Sequence, residues 1–113
     1  MAIEFWHNPR CSKSRQALAL LQDAGAAVTV VEYLKTPPTQ KRLKEVIALL
    51  GVEPREAMRT KDKLYRDLEL DEVSHQALIK EMAENPILIE RPIAISGEKA
   101  VIGRPPETVL ALL

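Results

Sequence analysis

The sequence predicts an α/β protein: a mixed four-stranded sheet carrying helices, with a helical segment inserted between its two halves. Three observations predict it. A strand-like, a helix-like and a second strand-like pattern follow one another within about 30 residues, the span of one βαβ unit. The last quarter holds two short apolar runs joined by Ser96-Gly97-Glu98-Lys99 and then a helix-like run, which reads as ββα. Between these halves the apolar residues recur at three- and four-residue spacings, without strand-like alternation.

Each element has its own signature. Ile3-Glu4-Phe5-Trp6 alternates, with Ile3 and Phe5 on one face, and is the first strand. Residues 12–23 are helical, with Ala17, Leu18, Leu20, Leu21 and Ala24 as a wide apolar stripe and Gly25 as the stop. Residues 28–33 are β-branched and aromatic and form a second strand, parallel to the first through a right-handed crossover. After Pro37-Pro38, Thr39 caps a helix whose buried face is Leu43, Val46, Ile47 and Leu50, closed by Gly51. The charged stretch 52–72 holds one or two short helices, with Pro54 as a first-turn proline. Ser74 caps a further helix, with Leu78 and Met82 four apart, which Asn85-Pro86 ends. Residues 91–96 and 100–102 pair as the hairpin. Arg104-Pro105-Pro106-Glu107 opens a last helix that buries Val109, Leu110 and Leu113. A βαβ unit and a ββα unit with helices between them is the thioredoxin-like (glutaredoxin-like) architecture with a helical insertion.

Bulk properties narrow the function. The 113 residues suit one domain spanning 1–113, and 46% apolar residues supply a core. Sixteen basic residues balance sixteen acidic ones, which argues against general nucleic-acid binding. One cysteine excludes an internal disulfide framework and a cysteine-rich metal site. No basic region followed by a long apolar stretch marks a signal peptide. No apolar run approaches the ~20 residues that span a bilayer, so a cytoplasmic, reducing location is expected.

The chemistry concentrates in His7-Asn8-Pro9-Arg10-Cys11-Ser12-Lys13-Ser14-Arg15, where the first strand gives way to the first helix. A cysteine opening a helix faces unpaired N–H groups and the positive helix end. These favour the thiolate and bring its pKa down from ~8.5. Arg10, Lys13 and Arg15 add positive charge, His7 would add more if protonated, and the Ser14 hydroxyl can reach the sulfur. The same groups suit a bound oxyanion. A lone cysteine is ordinarily a small buried hydrophobe, but polar and basic flanks on both sides favour an activated thiol here.

His7-Asn8-Pro9-x-Cys11-x-x-Ser14-Arg15, Leu34-x-x-Pro37-Pro38, Met58-Arg59, Asn85-Pro86-Ile87-Leu88-Ile89-x-Arg91-Pro92-Ile93 and Arg104-Pro105-x-Glu107 occur in this order. Together they resemble the glutaredoxin-linked arsenate reductase family, of the ArsC type, across essentially the whole chain. The resemblance implies that Cys11 is the nucleophile and that Arg59, Arg91 and Arg104 surround the oxyanion. It also implies that His7, Asn8, Ser14 and Arg15 support the thiol and anion cradle, and that Pro92 is cis. Arg59, in a charged helix, would otherwise be read as a solvated surface residue. Planar guanidiniums suit a tetrahedral oxyanion because they bind it bidentately. The implied reaction reduces arsenate to arsenite through a Cys11–arsenate adduct. Glutathione is the co-substrate and glutaredoxin the protein partner, in a monomer with no bound cofactor and no metal. Two other readings stay open: a glutathione-dependent thiol reductase acting on another substrate, and a Spx-like regulator that binds RNA polymerase. Ser14, standing where a Cys-x-x-Cys switch needs its second cysteine, disfavours the regulator.

Overall fold

The computed structural model describes residues 2–113. The strands are β1 (Ala2–Trp6), β2 (Ala27–Val31), β3 (Ile93–Ser96) and β4 (Lys99–Ile102). They form one sheet in the order β2-β1-β3-β4. β1 runs parallel to β2, from Ala2 opposite Ala27 to Trp6 opposite Val31. It runs antiparallel to β3, with Phe5 opposite Ala94, and β3 runs antiparallel to β4. The helices are α1 (Ser12–Asp23), α2 (Gln40–Leu50), α3 (Lys63–Asp67) and α4 (His75–Glu84). This is the thioredoxin-like mixed sheet that the sequence predicts, with the helical insertion between β2 and β3.

The chain divides into two compact units. The first comprises 1–36 and 91–113, and the second 37–90. In the first, alternation along β1 turns Ile3 and Phe5 to one face, where they meet Ala17 and Leu21 of α1 and Ala94 of β3. Val109 and Leu112 close this cluster, and Leu18, Leu20 and Val28 pack at its edge. Each fully buried side chain of this size contributes about 1.5–3 kcal/mol, so this cluster fixes α1 against the sheet. It thereby fixes the loop that joins β1 to α1. Ala24, read as part of the apolar stripe, is exposed at the end of α1.

Gly103, just after β4, packs where no side chain fits. A Cβ there would lie 2.8 Å from Pro92 Cγ and 3.0 Å from Val109 Cγ1. Its N–H donates to the Pro92 carbonyl at 2.9 Å, which brings the segments leading into β3 and out of β4 together. Both Arg91-Pro92 and Arg104-Pro105 are cis. The first was expected from the family resemblance, and the second was not foreseen.

The last helix corrects the sequence reading. Pro106–Leu112 is a 3-10 helix, and Pro106, Val109 and Leu112 are its buried residues. Leu110 and Leu113, assigned to the core by an α-helical period, are 37% and 51% exposed. Three residues per turn put positions i, i+3 and i+6 on one face, which selects 106, 109 and 112. The strand bounds also differ. The chain leaves β2 at Val31, with Tyr33 buried beyond it, and β3 begins at Ile93, after the proline.

In the second unit the caps fall where the sequence places them. Thr39 Oγ1 accepts from the Arg42 N–H at 3.1 Å, and Ser74 Oγ accepts from the Ala77 N–H at 3.2 Å. Gly51 ends α2 in the left-handed region at φ 69°. α2 and α4 pack together, burying Leu43, Val46, Ile47, Leu78 and Met82. Leu50, at the end of the α2 stripe, is only partly buried. Between these helices the chain makes three short pieces rather than one or two: the 3-10 turns Pro54–Ala57 and Leu70–Glu72, with α3 between them. Arg55 ties them together. Its Nε donates to Tyr65 Oη at 2.9 Å, and an Nη donates to the Leu70 and Val73 carbonyls at 3.0 and 3.3 Å. Sequence reasoning had no signal for that clip, because its acceptors are mostly backbone carbonyls. Asn85-Pro86 ends α4 as expected and starts a further 3-10 turn, Pro86–Leu88.

Candidate active site

The loop between β1 and α1 is built by its own sequence. The Cys11 N–H donates to the Asn8 carbonyl at 3.0 Å, closing a turn with Pro9 at its second position, where a fixed φ suits it. Asn8 Oδ1 accepts from the Arg10 N–H at 3.0 Å, the local bond that makes asparagine a turn former. Arg15 reaches back from α1, and its Nη1 donates to the Pro9 carbonyl at 2.8 Å. Asn8 and Arg15 therefore shape the loop on either side of the cysteine.

Cys11 sits at the N-cap of α1 in extended conformation, with no side-chain cap bond. Its thiol is a free one and partly exposed. Partial burial pushes its pKa up. The N–H groups of Ser14 and Lys13 at the open helix end pull it down, as do the charge of Arg91 and a hydrogen bond from its guanidinium. The stabilising groups win, and the pKa lies below its ordinary value.

Ser14 and His7 work differently from the sequence reading. The Ser14 hydroxyl is buried, 2.7 Å from His7 Nδ1, and accepts from the Asn8 N–H at 3.0 Å. It is spent on the loop, and the open main-chain N–H groups of Ser14 and Lys13, not the hydroxyl, help to lower the thiol pKa. His7 does not add positive charge. Burial lowers its pKa, Glu32 offsets part of that, and Arg15 lowers it further. A neutral ring held between β1 and α1 positions the turn, and its proton sits on one nitrogen according to which partner donates.

Two of the three arginines, Arg91 and Arg104, belong to the first unit, and Arg91 is the one that meets the thiol. Arg91 lies at the entrance to β3, and its guanidinium meets the Cys11 sulfur. Arg104, just past β4, donates from Nη1 to the Arg91 carbonyl at 3.2 Å. The sheet order puts β3 beside β1, and the Gly103–Pro92 bond aligns the two arginine-proline pairs. Arg59 belongs to the second unit. There its N–H donates to the Leu88 carbonyl at 2.8 Å and its Nη2 lies 3.7 Å from Asp62 Oδ2. Its assignment rests on the Met58-Arg59 motif. The sequence predicts that unpaired helix N–H groups favour the thiolate, and the structure identifies them as those of Lys13 and Ser14. The helix-opening position of Cys11 was the available signal. Among the described residues, no group of three or more His, Cys, Asp or Glu gathers that could hold a metal, and no helix is long and apolar enough to cross a membrane.

Fold and site together define a thioredoxin-like protein with a single activated thiol at a helix N-terminus, faced by arginine. The chain belongs to the ArsC family, whose model matches residues 6–112. It is 47% identical to an arsenate reductase of Neisseria meningitidis serogroup A over 98% of this chain and 97% of that one. It is 46% identical to the uncharacterized protein YfgD of Escherichia coli K12, over 98% and 96%. An arsenate reductase structure from Vibrio cholerae superposes with a TM-score of 0.97 at 47% identity, covering 100% of this chain and 98% of that one.

Proposed function

We propose that the protein is an arsenate reductase that uses glutathione and glutaredoxin as reductants. The observation that carries the reading is the Cys11 thiol, lowered in pKa by two helix N–H groups and by the guanidinium of Arg91. A cation that stabilises the thiolate from one side is placed to hold an oxyanion that the thiolate attacks. Arsenate reductases at 47% identity to this chain supply the substrate.

In the proposed reaction the Cys11 thiolate attacks arsenic and an S–As bond forms as an oxygen leaves as hydroxide or water. Arg91 and Arg104 balance the oxyanion charge. Arg59 is assigned to the oxyanion by its Met58-Arg59 motif alone. A glutathione thiolate then attacks the Cys11 sulfur. An S–S bond forms, and the S–As electron pair passes to arsenic, which leaves as trivalent arsenite. Glutaredoxin clears the resulting mixed disulfide by thiol–disulfide exchange. A second thiol has to come from outside, because Cys11 is the chain's only cysteine.

The test is arsenate-dependent NADPH consumption coupled through glutathione, glutathione reductase and glutaredoxin, with wild type beside Cys11→Ser. Turnover in the wild type that vanishes in the variant supports the reading. No turnover in either sinks arsenate as the substrate. Turnover sustained by thioredoxin and not by glutaredoxin sinks the reductant assignment alone.

A further inference from the structure

Cys11 is partly exposed between two basic residues. Arg10 and Lys13 flank it on both sides with exposed side chains. Their backbones are fixed. The Arg10 N–H is bound by Asn8 Oδ1 at 3.0 Å, and Lys13 lies in the first turn of α1. Among the described residues neither side chain makes an ion pair. Arg15 and Arg104 each direct a guanidinium nitrogen to a main-chain carbonyl, which leaves their charge uncompensated. The whole chain is neutral, with sixteen charges of each sign, so this gathering of cations is local.

Arg91 and Arg104 serve the oxyanion in the proposed reaction; Arg10 and Lys13 are left over. We infer that Arg10 and Lys13 form an electrostatic rim that selects an anionic second substrate, so that the thiol attacking the Cys11 adduct carries carboxylate. The biological meaning of this inference rests on the reductase reading, but the field itself does not. Long side chains at the mouth act within a Debye length of an incoming reagent. Fields of this kind raise encounter rates by about 10- to 1,000-fold at low salt. A neutral or cationic thiol gains nothing from them.

The field is measured by alkylating Cys11 with iodoacetate and with iodoacetamide. In both reactions the thiolate forms an S–CH2 bond and iodide leaves, so the rate ratio cancels nucleophilicity and reports the preference for a negative reagent. At about 0.02 M salt the wild-type ratio should exceed that of 2-mercaptoethanol by about tenfold, and it should collapse at about 0.5 M. Arg10→Glu/Lys13→Glu should bring it to the reference or below, with Arg10→Gln and Lys13→Gln part-way. A wild-type ratio at the reference, or a ratio unmoved in these variants, overturns the rim.

Selection is read from a mixed disulfide of Cys11 with thionitrobenzoate. A small thiolate attacks the Cys11 sulfur, a new S–S bond forms, and thionitrobenzoate leaves. The double variant should slow 3-mercaptopropionate several-fold more than 2-mercaptoethanol. Equal slowing would overturn the selection. Neither assay contains arsenate, so the failure of arsenate turnover and the failure of this inference are separate results.

Discussion

Ser14 Oγ lies 2.7 Å from His7 Nδ1, and through that one hydroxyl the end of β1 is tied to the first turn of α1. The same oxygen accepts from the Asn8 N–H at 3.0 Å. The turn that presents Cys11 is thus held from inside, by groups that never meet the sulfur through their side chains. Ser14→Ala leaves two buried polar groups without a partner, which costs about 1–3 kcal/mol. Urea denaturation of wild type and variant checks this. A loss well under that range would mean that water or a rearranged loop replaces the hydroxyl.

His7 gives stability a pH dependence of known sign. Its pKa is lowered in the folded protein, chiefly by burial, from the ordinary 6.5. Between the folded value and 6.5 the unfolded chain binds more protons, so stability rises with pH there. The contribution of neutral His7 is complete above 6.5 and is lost as pH falls through the folded value. Unfolding free energy followed from pH 7.5 down to about 5 should fall more steeply in wild type than in His7→Gln. Parallel curves would remove His7 as the cause.

Arg91 should control the thiol. Its charge and hydrogen bond help to hold the Cys11 pKa below its ordinary value, against burial. In Arg91→Ala the pH midpoint of iodoacetamide alkylation should move up towards that of a free thiol. Arg91→Lys should fall between, since it keeps the charge but loses the planar fork. An unshifted midpoint in Arg91→Ala would leave the helix N–H groups as the sole cause.

The 3-10 geometry of Pro106–Leu112 is tested by two leucines. Leu112 is 5% exposed and Leu110 37%. Leu112→Ala should cost about 2–5 kcal/mol, and Leu110→Ala about 0.5 kcal/mol or less. The reverse order would restore the α-helical face.

Much of the molecule was written locally. Ile3 and Phe5 on one face of β1, the caps Thr39 and Ser74, and the left-handed Gly51 obey rules that act over a few residues, and each is found where the sequence puts it. The ending Val109-Leu110-Ala111-Leu112-Leu113 was different. Its apolar residues satisfy both a 3.6- and a 3.0-residue period, so the sequence could not choose between buried faces. The choice came from packing, because Val109 and Leu112 both fit the cluster around Phe5 and Leu21.

The site divides along the same line. The sequence by itself determined that one cysteine opens a helix among basic residues, because the end of a strand, a proline turn and the start of a helix are consecutive there. Only the tertiary structure decided which partners the atoms take. The Ser14 hydroxyl went to His7 and Asn8, burial made His7 a poor cation, and Arg91, remote in sequence, was brought to the sulfur by the pairing of β1 with β3. A hydrogen bond or a pKa depends on distance and burial, which chain order does not encode when the partners come from different strands.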